Sequence, residues 1–174
     1  MKLYSIYYYQ RYLKYAKDKH SSQYLEIKKT IENFSKLGQD FYKKAQKSLS
    51  QGDDTEAIKS LAFAADIMPL NFDINFLLGK LYLKKNNYNN AINYLETAFC
   101  IDSKSTDLLR QMTSAFLYLE NYTGAFCCLK RMLPLVISKQ KEYLDILKTI
   151  KGIQLGFNEQ SYQKHLNLAE QYYC

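Results

Sequence analysis

The sequence contains few of the residues that interrupt regular structure. Its 174 residues include only two prolines and six glycines, which leaves little room for linkers or for many β-turns. Such scarcity favours helices joined by short connections. The length suits one domain, which at this size buries most of its surface without disulfides or metal ions.

Long apolar runs are also missing. No uninterrupted apolar stretch is long enough to cross the hydrocarbon core of a bilayer as a helix, so we expect no transmembrane helix. The first nine residues hold one lysine and four tyrosines, without an aliphatic segment followed by small residues. We therefore expect no secretory signal peptide.

The four cysteines form no recognisable site. They have no CxxC pair and no spacing typical of zinc ligands. The adjacent pair Cys127 and Cys128 would point about 100° apart on a helix, so we expect no bridge between them. Scattered thiols of this kind suit a reducing compartment, and the sequence predicts a cytoplasmic protein without a metal. The cysteines are Cys100, Cys127, Cys128 and Cys174.

No pattern in the sequence predicts catalysis. His20 and His165 lie far apart, and no Ser/His/Asp or Cys/His set converges by its spacing. The glycines of residues 152–156 lack the following Lys-Ser/Thr of a phosphate-binding loop. We expect no enzyme activity, no catalytic residue and no cofactor, and we interpret His165 as a surface residue.

Positive charge is concentrated at one end of the chain. Of the formal net charge of +7, residues 1–50 supply all, with 11 Lys+Arg against 4 Asp+Glu, and the rest of the chain carries 13 of each. A local basic excess steers a protein toward acidic partners, nucleic acid or anionic membranes. A solvated lysine-rich helix has the same composition, and that is our interpretation. We do not expect nucleic acid as a partner; steep salt dependence of binding would indicate otherwise.

What the sequence does contain is an internal repeat with a period of about 34 residues, a length typical of stacked helix pairs. Its best copy covers residues 72–105, and matching residues lie one full period before and after it. The copy has Leu78-Gly79, Tyr82, Tyr88, Ala91-Ile92, Leu95 and Ala98; the earlier matches are Ala57-Ile58, Leu61 and Ala64; the later ones are Met112, Phe116, Tyr122, Ala125 and Leu129.

This pattern resembles the tetratricopeptide repeat (TPR), a helix-turn-helix unit that usually binds other proteins. The resemblance implies an all-α helical stack of three helix-turn-helix repeats, 38–71, 72–105 and 106–138. An N-terminal helical segment, 1–37, and C-terminal capping helices, 139–174, flank them. We expect flanking helices at 3–17, 23–37, 139–151 and 158–173, with breaks at Gly152 and Gly156. The third repeat departs from the pattern at Thr113 and Met132, where small residues are expected, which predicts looser packing there.

The resemblance also implies which side chains face a ligand, because the first helix of each repeat lines the concave wall. Large apolar groups at these positions have no packing role in the pattern, which indicates an extended peptide with its own apolar anchors. Two alternatives remain: ordinary surface aromatics, or a groove filled by the protein's own terminal helix. The implied positions are Gln39, Tyr42, Gln46, Leu49 and Ser50; Asp73, Phe76, Lys80, Leu83 and Lys84; and Asp107, Arg110, Ser114, Leu117 and Tyr118.

One variant of this fold clamps the C-terminal carboxylate of cytosolic chaperones with Lys, Asn and Arg side chains. We expect no such clamp here, because none of the matching positions holds Lys or Arg and Asp107 would repel a carboxylate. Those positions hold Tyr42, Gln46, Leu77, Asp107 and Gln111.

The layout more narrowly resembles the class II chaperones of type III secretion translocators. The segments Phe76-Leu77-Leu78-Gly79 and Tyr88-Asn89-Asn90-Ala91-Ile92 match their second repeat. This resemblance implies a cytoplasmic protein that keeps a hydrophobic pore-forming partner soluble and that dimerises through residues 1–37. The tyrosine-rich start of the chain suits such an interface, or a cap on the first repeat. A general TPR adaptor or scaffold that assembles a multiprotein complex shares the layout and remains the alternative.

Overall fold

The expected all-α architecture is confirmed. A computed structural model describes residues 4–155 of the chain, with side chains placed for Tyr9 and residues 11–153, and no strand occurs in this range. The expected helix at 158–173, and with it His165 and Cys174, lies outside the described residues. The helices are α1 (Tyr4–Tyr15), α2 (Ser22–Ser50), α3 (Asp54–Ile67), α4 (Phe72–Lys84), α5 (Tyr88–Ile101), α6 (Thr106–Tyr118), α7 (Tyr122–Met132), a 3-10 helix (Leu133–Leu135) and α8 (Gln140–Leu155).

The repeat period is present in the helix boundaries themselves. The helices α3, α5 and α7 begin one full period apart, at positions 54, 88 and 122, and α4, α6 and α8 begin at positions 72, 106 and 140. The repeat found in the sequence therefore corresponds to a structural unit. The period also continues one helix further than expected, because α8 begins where the first helix of a fourth repeat would begin.

The residues that start these helices follow the same period. Side-chain oxygens of Asp53, Asn87 and Asn121 accept hydrogen bonds from backbone N–H groups in the first turns of α3, α5 and α7. Asn71 and Ser105 do the same for Ile74 in α4 and for Leu108 in α6. Each cap satisfies an N–H group that has no partner inside the helix, and so fixes where the helix begins.

The turn inside each repeat contains one residue with left-handed backbone geometry. These residues are Gly52, Asn86 and Glu120, with φ of 77°, 57° and 54°. Glycine adopts this geometry without strain and asparagine tolerates it, whereas a glutamate does so against a steric penalty. The turn expected at Asn86 is confirmed.

The chain forms two compact units, residues 1–74 and 75–174. In the first unit, α1 and α3 pack against α2. The separate helix expected at 23–37 is wrong, since α2 continues through Gly38. A glycine inside a helix costs about 1 kcal/mol, which does not end a helix that packs on both sides. A Cβ at Gly38 would lie 3.0 Å from the Met68 side chain, so this glycine permits a close contact.

In the second unit, α5 packs against α6, α6 against α7, and α7 against α8. Gly79 lets α4 approach α5, because a Cβ at this position would lie 2.5 Å from Cγ and Cδ2 of Leu95. The interior is aliphatic and closely packed, as the glycine contact requires. Its fully buried members include Leu78, Leu95, Leu108, Leu109 and Val136.

The end of the third repeat is marked by Pro134, as expected. The helix α7 ends at Met132 and the proline lies in the 3-10 helix that follows. The break expected at Gly152 is wrong, because α8 continues to Leu155. A Cβ at Gly152 would meet nothing within 4 Å, whereas Ile146 and Ile150 on the same helix are buried. The packing of these isoleucines stabilises the helix despite the glycine.

Candidate functional site

The ten residues predicted to contact a ligand have the same arrangement on three helices. Each helix carries a row at positions i, i+4 and i+7, and such a row lies on one helix face. The row on α2 belongs to the first compact unit, and those on α4 and α6 to the second. The rows are Tyr42, Gln46 and Leu49; Phe76, Lys80 and Leu83; and Arg110, Ser114 and Leu117, which Tyr118 follows.

The α2 row lies beside the face that packs against α3. Tyr42 and Leu49 are half-buried and Gln46 is exposed. Lys44 Nζ donates a hydrogen bond of 2.8 Å to Glu56 Oε1 on α3, which holds the pKa of that carboxyl below its usual value. Lys44, which neighbours the row in sequence, therefore already has a carboxylate partner on α3.

The α4 row combines two half-buried apolar side chains with a lysine. Lys80 Nζ lies 5.2 Å from the centroid of the Phe76 ring, within the range of a cation–π contact. The same atom lies 3.9 Å from Asp107 Oδ2 on α6. The lysine therefore covers part of the phenylalanine and connects the faces of α4 and α6.

Residues of the α6 row contact α8 and α5. Arg110 forms an ion pair with Glu142 of α8, and Lys139 Nζ lies 3.7 Å from the same carboxylate. Tyr118 is 65% exposed, yet its ring stacks on Tyr88 of α5 with centroids 4.6 Å apart. Tyr118 thus helps to pack α5 against α6 and is not only a surface residue.

An open cavity of about 790 Å³ lies between α6, α7 and α8. It includes three of the predicted residues, Arg110, Ser114 and Leu117, together with residues that the sequence did not predict. Its exposed lining is mainly apolar, and five charged side chains also take part in it. The other lining residues are Thr113, Leu129, Met132, Lys139, Gln140, Lys141, Glu142, Asp145, Ile146 and Thr149.

The contribution of α8 is the main feature that sequence reasoning missed. The helix was expected to cap the stack, but its first three turns form a wall of the cavity. A signal for this role was present in the sequence. Ile146 stands one full period after Met112, and Ile150 stands one full period after Phe116. Both isoleucines are buried, as the repeat pattern requires of these positions.

Neither a metal site nor a membrane-spanning segment emerges from the described residues. Residues 4–155 hold no group of three or more His, Cys, Asp or Glu side chains that could bind a metal ion. Within the same range, none of the helices combines the length and the apolar character that crossing a bilayer requires. His20 is exposed in the connection between α1 and α2.

Solved structures share this fold, although no protein-family model and no curated protein matches the sequence. The Arabidopsis OM64 TPR domain is 15% identical, with a TM-score of 0.58 over 68% of this chain and 98% of that domain. The first TPR domain of Spaghetti (RPAP3), bound to the HSP90 peptide SRMEEVD, is 18% identical, with a TM-score of 0.57 over 70% and 94%. MamA is 20% identical, with a TM-score of 0.54 over 78% and 81%. The chain therefore has a TPR-like helical fold.

Proposed function

We propose that this chain is a non-catalytic module that binds a partner protein by holding extended segments of it along its rows, that of α2 in the first unit and those of α4 and α6 in the second. The main support is that three large apolar side chains of the rows, Phe76, Leu83 and Leu117, are partly exposed. Such side chains, aligned on helix faces, supply anchors for a ligand that carries apolar groups of its own. A TPR domain of similar fold is bound to a peptide, which agrees with this use of the fold.

The charges on these faces favour an apolar segment over an acidic one. Lys80 lies beside Asp107, and Arg110 is paired with Glu142, so both cations already have carboxylate partners. An acidic peptide would have to displace these carboxylates and would meet their repulsion. We therefore propose a ligand that differs from the acidic HSP90 peptide of the RPAP3 complex.

Within this class, our specific proposal is a cytoplasmic chaperone of type III secretion translocators. Its support is the sequence resemblance in residues 76–92 and the apolar character of the rows. A TPR adaptor or scaffold that assembles a multiprotein complex would use the same faces and is the alternative. The partner's chemistry separates the two: a chaperone of this kind holds one strongly hydrophobic protein, and a scaffold holds several soluble subunits.

Affinity capture from the native cells, followed by mass spectrometry, tests this proposal. Wild-type protein is compared with the double variant Tyr42→Ala/Phe76→Ala and with the control Leu70→Ala/Ile137→Ala, whose side chains are 75% and 71% exposed outside the rows. We expect the row variant to capture at least tenfold less partner than the wild type, and the control to capture as much as the wild type. The helical circular dichroism signal should be unchanged in both variants. Equal capture by all three proteins would contradict the proposal.

We further propose that residues 1–37 mediate self-association. Three large side chains of this segment, Tyr15, Leu25 and Leu37, are exposed. Because α2 runs through residue 37, substitution is a cleaner test than deletion of the segment. The triple variant Tyr15→Ser/Leu25→Gln/Leu37→Gln should have the light-scattering mass of a monomer while the wild type has that of a dimer. A monomeric wild type would exclude the interface.

A further inference from the structure

The cavity between α6, α7 and α8 has the properties of a specificity pocket. We propose that it receives a bulky, uncharged apolar side chain of the bound segment, and that α8 is a wall of the binding site as well as a cap. This inference rests on the proposed function, which it deepens by naming the ligand's chemistry at one end of the rows. The rows themselves do not require α8.

The size and walls of the cavity suit an apolar side chain with its adjoining backbone. Its volume of about 790 Å³ lies within the range of ligand pockets, roughly 300–1,000 Å³. Leu117 contributes from α6, Leu129 and Met132 from α7, and Ile146 from α8. A leucine, methionine or phenylalanine side chain placed among these groups would be transferred from water to an aliphatic environment, which is favourable.

Four of the five charged side chains that line the cavity form ion pairs, and Lys141 is the fifth. Glu142 pairs with Arg110 and lies 3.7 Å from Lys139 Nζ, and Asp145 Oδ1 lies 3.9 Å from Lys148 Nζ. A charged ligand group would have to lose water and, apart from Lys141, would meet only charges that already have partners. These ion pairs, together with the apolar walls, favour an uncharged side chain over a charged one.

Two polar side chains at the cavity are suited to a peptide backbone. Ser114 on α6 and Gln140 on α8 line it, and neither forms a hydrogen bond with another described residue. By contrast, the hydroxyls of Thr113 and Thr149 donate to backbone carbonyls of Leu109 and Asp145, at 2.8 and 2.9 Å. A hydroxyl and an amide beside apolar walls can pair with the N–H and C=O groups of an extended segment. This combination favours a peptide over a hydrocarbon ligand.

The cavity also coincides with the two departures from the repeat pattern. Thr113 and Met132 stand where the second repeat has Gly79 and Ala98, and both border the cavity. The space therefore lies where the sequence lacks the small residues that bring the two helices of a repeat together.

The inference is tested by selecting peptides with the wild-type protein and then measuring their binding to variants in which a phenylalanine fills the cavity. Full-length wild-type protein is used to select binders from a random 12-residue phage-display library, and the best peptide is synthesised together with versions carrying single alanines. Ser114→Phe fills the cavity from α6, and Thr149→Phe fills it from α8. Ser103→Phe is the matched control, because Ser103 is exposed in the α5–α6 connection and does not line the cavity.

We expect the selected peptides to share a bulky apolar residue, and alanine at that position to weaken binding to wild type about 10- to 100-fold. Both cavity variants should bind the parent peptide at least tenfold more weakly, and Ser103→Phe within about twofold of wild type. Binding to both cavity variants at wild-type affinity would overturn the pocket but leave the proposed function intact. Failure of the wild type to select any peptide would overturn both.

Methyl NMR of the wild type gives a result that does not depend on the folding of any variant. Addition of the selected peptide should shift methyl signals of Leu117, Leu129, Met132 and Ile146, which line the cavity. Binding that leaves all four signals unchanged would overturn the inference.

Discussion

The second and third repeats solve the same packing problem with different residues. In the second, Gly79 and Ala98 are small, and the side chain of Leu95 occupies the space that a Cβ on Gly79 would fill, at 2.5 Å. In the third, the matching residues are Thr113 and Met132, and the close contact lies elsewhere: a Cβ on Gly124 would lie 2.9 Å from the Phe116 ring. Gly124 is near the turn of the repeat. The close glycine contact of the third repeat therefore lies nearer its turn than that of the second, and the cavity borders the larger residues.

The difference shows that a departure from a packing pattern need not be a defect. Thr113 and Met132 are themselves buried, and Thr113 satisfies its hydroxyl inside its own helix. The repeat is thus well packed on one side of these residues and open on the other. Substitutions that exchange the properties of the two repeats test this account.

The largest effect is expected for Met132→Ala, which restores the residue that the repeat pattern prefers. Met132 is 1% exposed, so the substitution removes a buried side chain and should lower the free energy of unfolding by about 2–5 kcal/mol. Urea denaturation measures it, with Ile137→Ala, an exposed neighbour, as the control. A variant as stable as the wild type would show that alanine at this position stabilises α7, as the repeat pattern predicts.

The next effect is expected for Gly79→Ala. The added methyl group would overlap the buried Leu95 side chain, and overpacking of this kind costs about 1–3 kcal/mol. Gly152→Ala is the matched control, since its Cβ meets nothing and a helical alanine is favoured by up to about 1 kcal/mol. The two variants should therefore shift the urea midpoint in opposite directions. A shift of the same sign in both would show that helix propensity, and not the contact with Leu95, decides the outcome.

A smaller gain is expected for Glu120→Gly in the turn of the third repeat. Glu120 has φ of 54°, and relief of this geometry should stabilise the protein by about 1 kcal/mol. The corresponding change in the second repeat, Asn86→Gly, should have less effect because asparagine tolerates the same geometry. Thermal unfolding of the two variants compares the turns directly. An equal gain in both would contradict the assignment of strain to Glu120.

The smallest effect concerns Glu96, which stands in the second repeat where the third has Lys130. Burial raises the pKa of the Glu96 carboxyl above its ordinary value of 4.5. The folded state therefore binds this proton more tightly than the unfolded state, and stability falls as pH rises from 4.5 through the raised pKa. Glu96→Gln should raise the melting temperature slightly at pH 7 and have no effect at pH 3. A gain that is equal at both pH values would exclude ionisation as the cause.

The sequence was sufficient to predict α3 to α7, because the turn residues and the alanines Ala57, Ala91 and Ala125 recur at one spacing. It also predicted the helix at 139–151 that α8 confirms, but it did not predict that α8 continues the repeat, for a physical reason. Lys139 occupies the capping position that Asn71 and Ser105 hold, and Leu147 stands where Gly79 does, so two of the signals are absent. Only the buried positions Ile146 and Ile150 kept the pattern. The continuity of α2 could not be predicted, because a glycine such as Gly38 can either end a helix or permit a close contact within one.

For the candidate site, sequence spacing predicted the rows but not their surroundings. Positions i, i+4 and i+7 share a face on any helix, so the rows follow from helix geometry alone. The ion pair of Arg110 with Glu142 joins residues of two different helices, and the stacking of Tyr118 on Tyr88 does the same. Such contacts depend on how helices pack, which a local pattern does not specify.

The central claim is the proposal that the row on α2, in the first unit, and the rows on α4 and α6, in the second, bind extended apolar segments. Its most direct test is a methyl NMR titration of the full chain with the peptide selected from the random library. The account predicts shifts at Leu49, Leu83 and Leu117, one from each row, and none at Leu70 or Ile101, which are exposed outside the rows. Shifts confined to Leu70 and Ile101, with the three rows unperturbed, would contradict it.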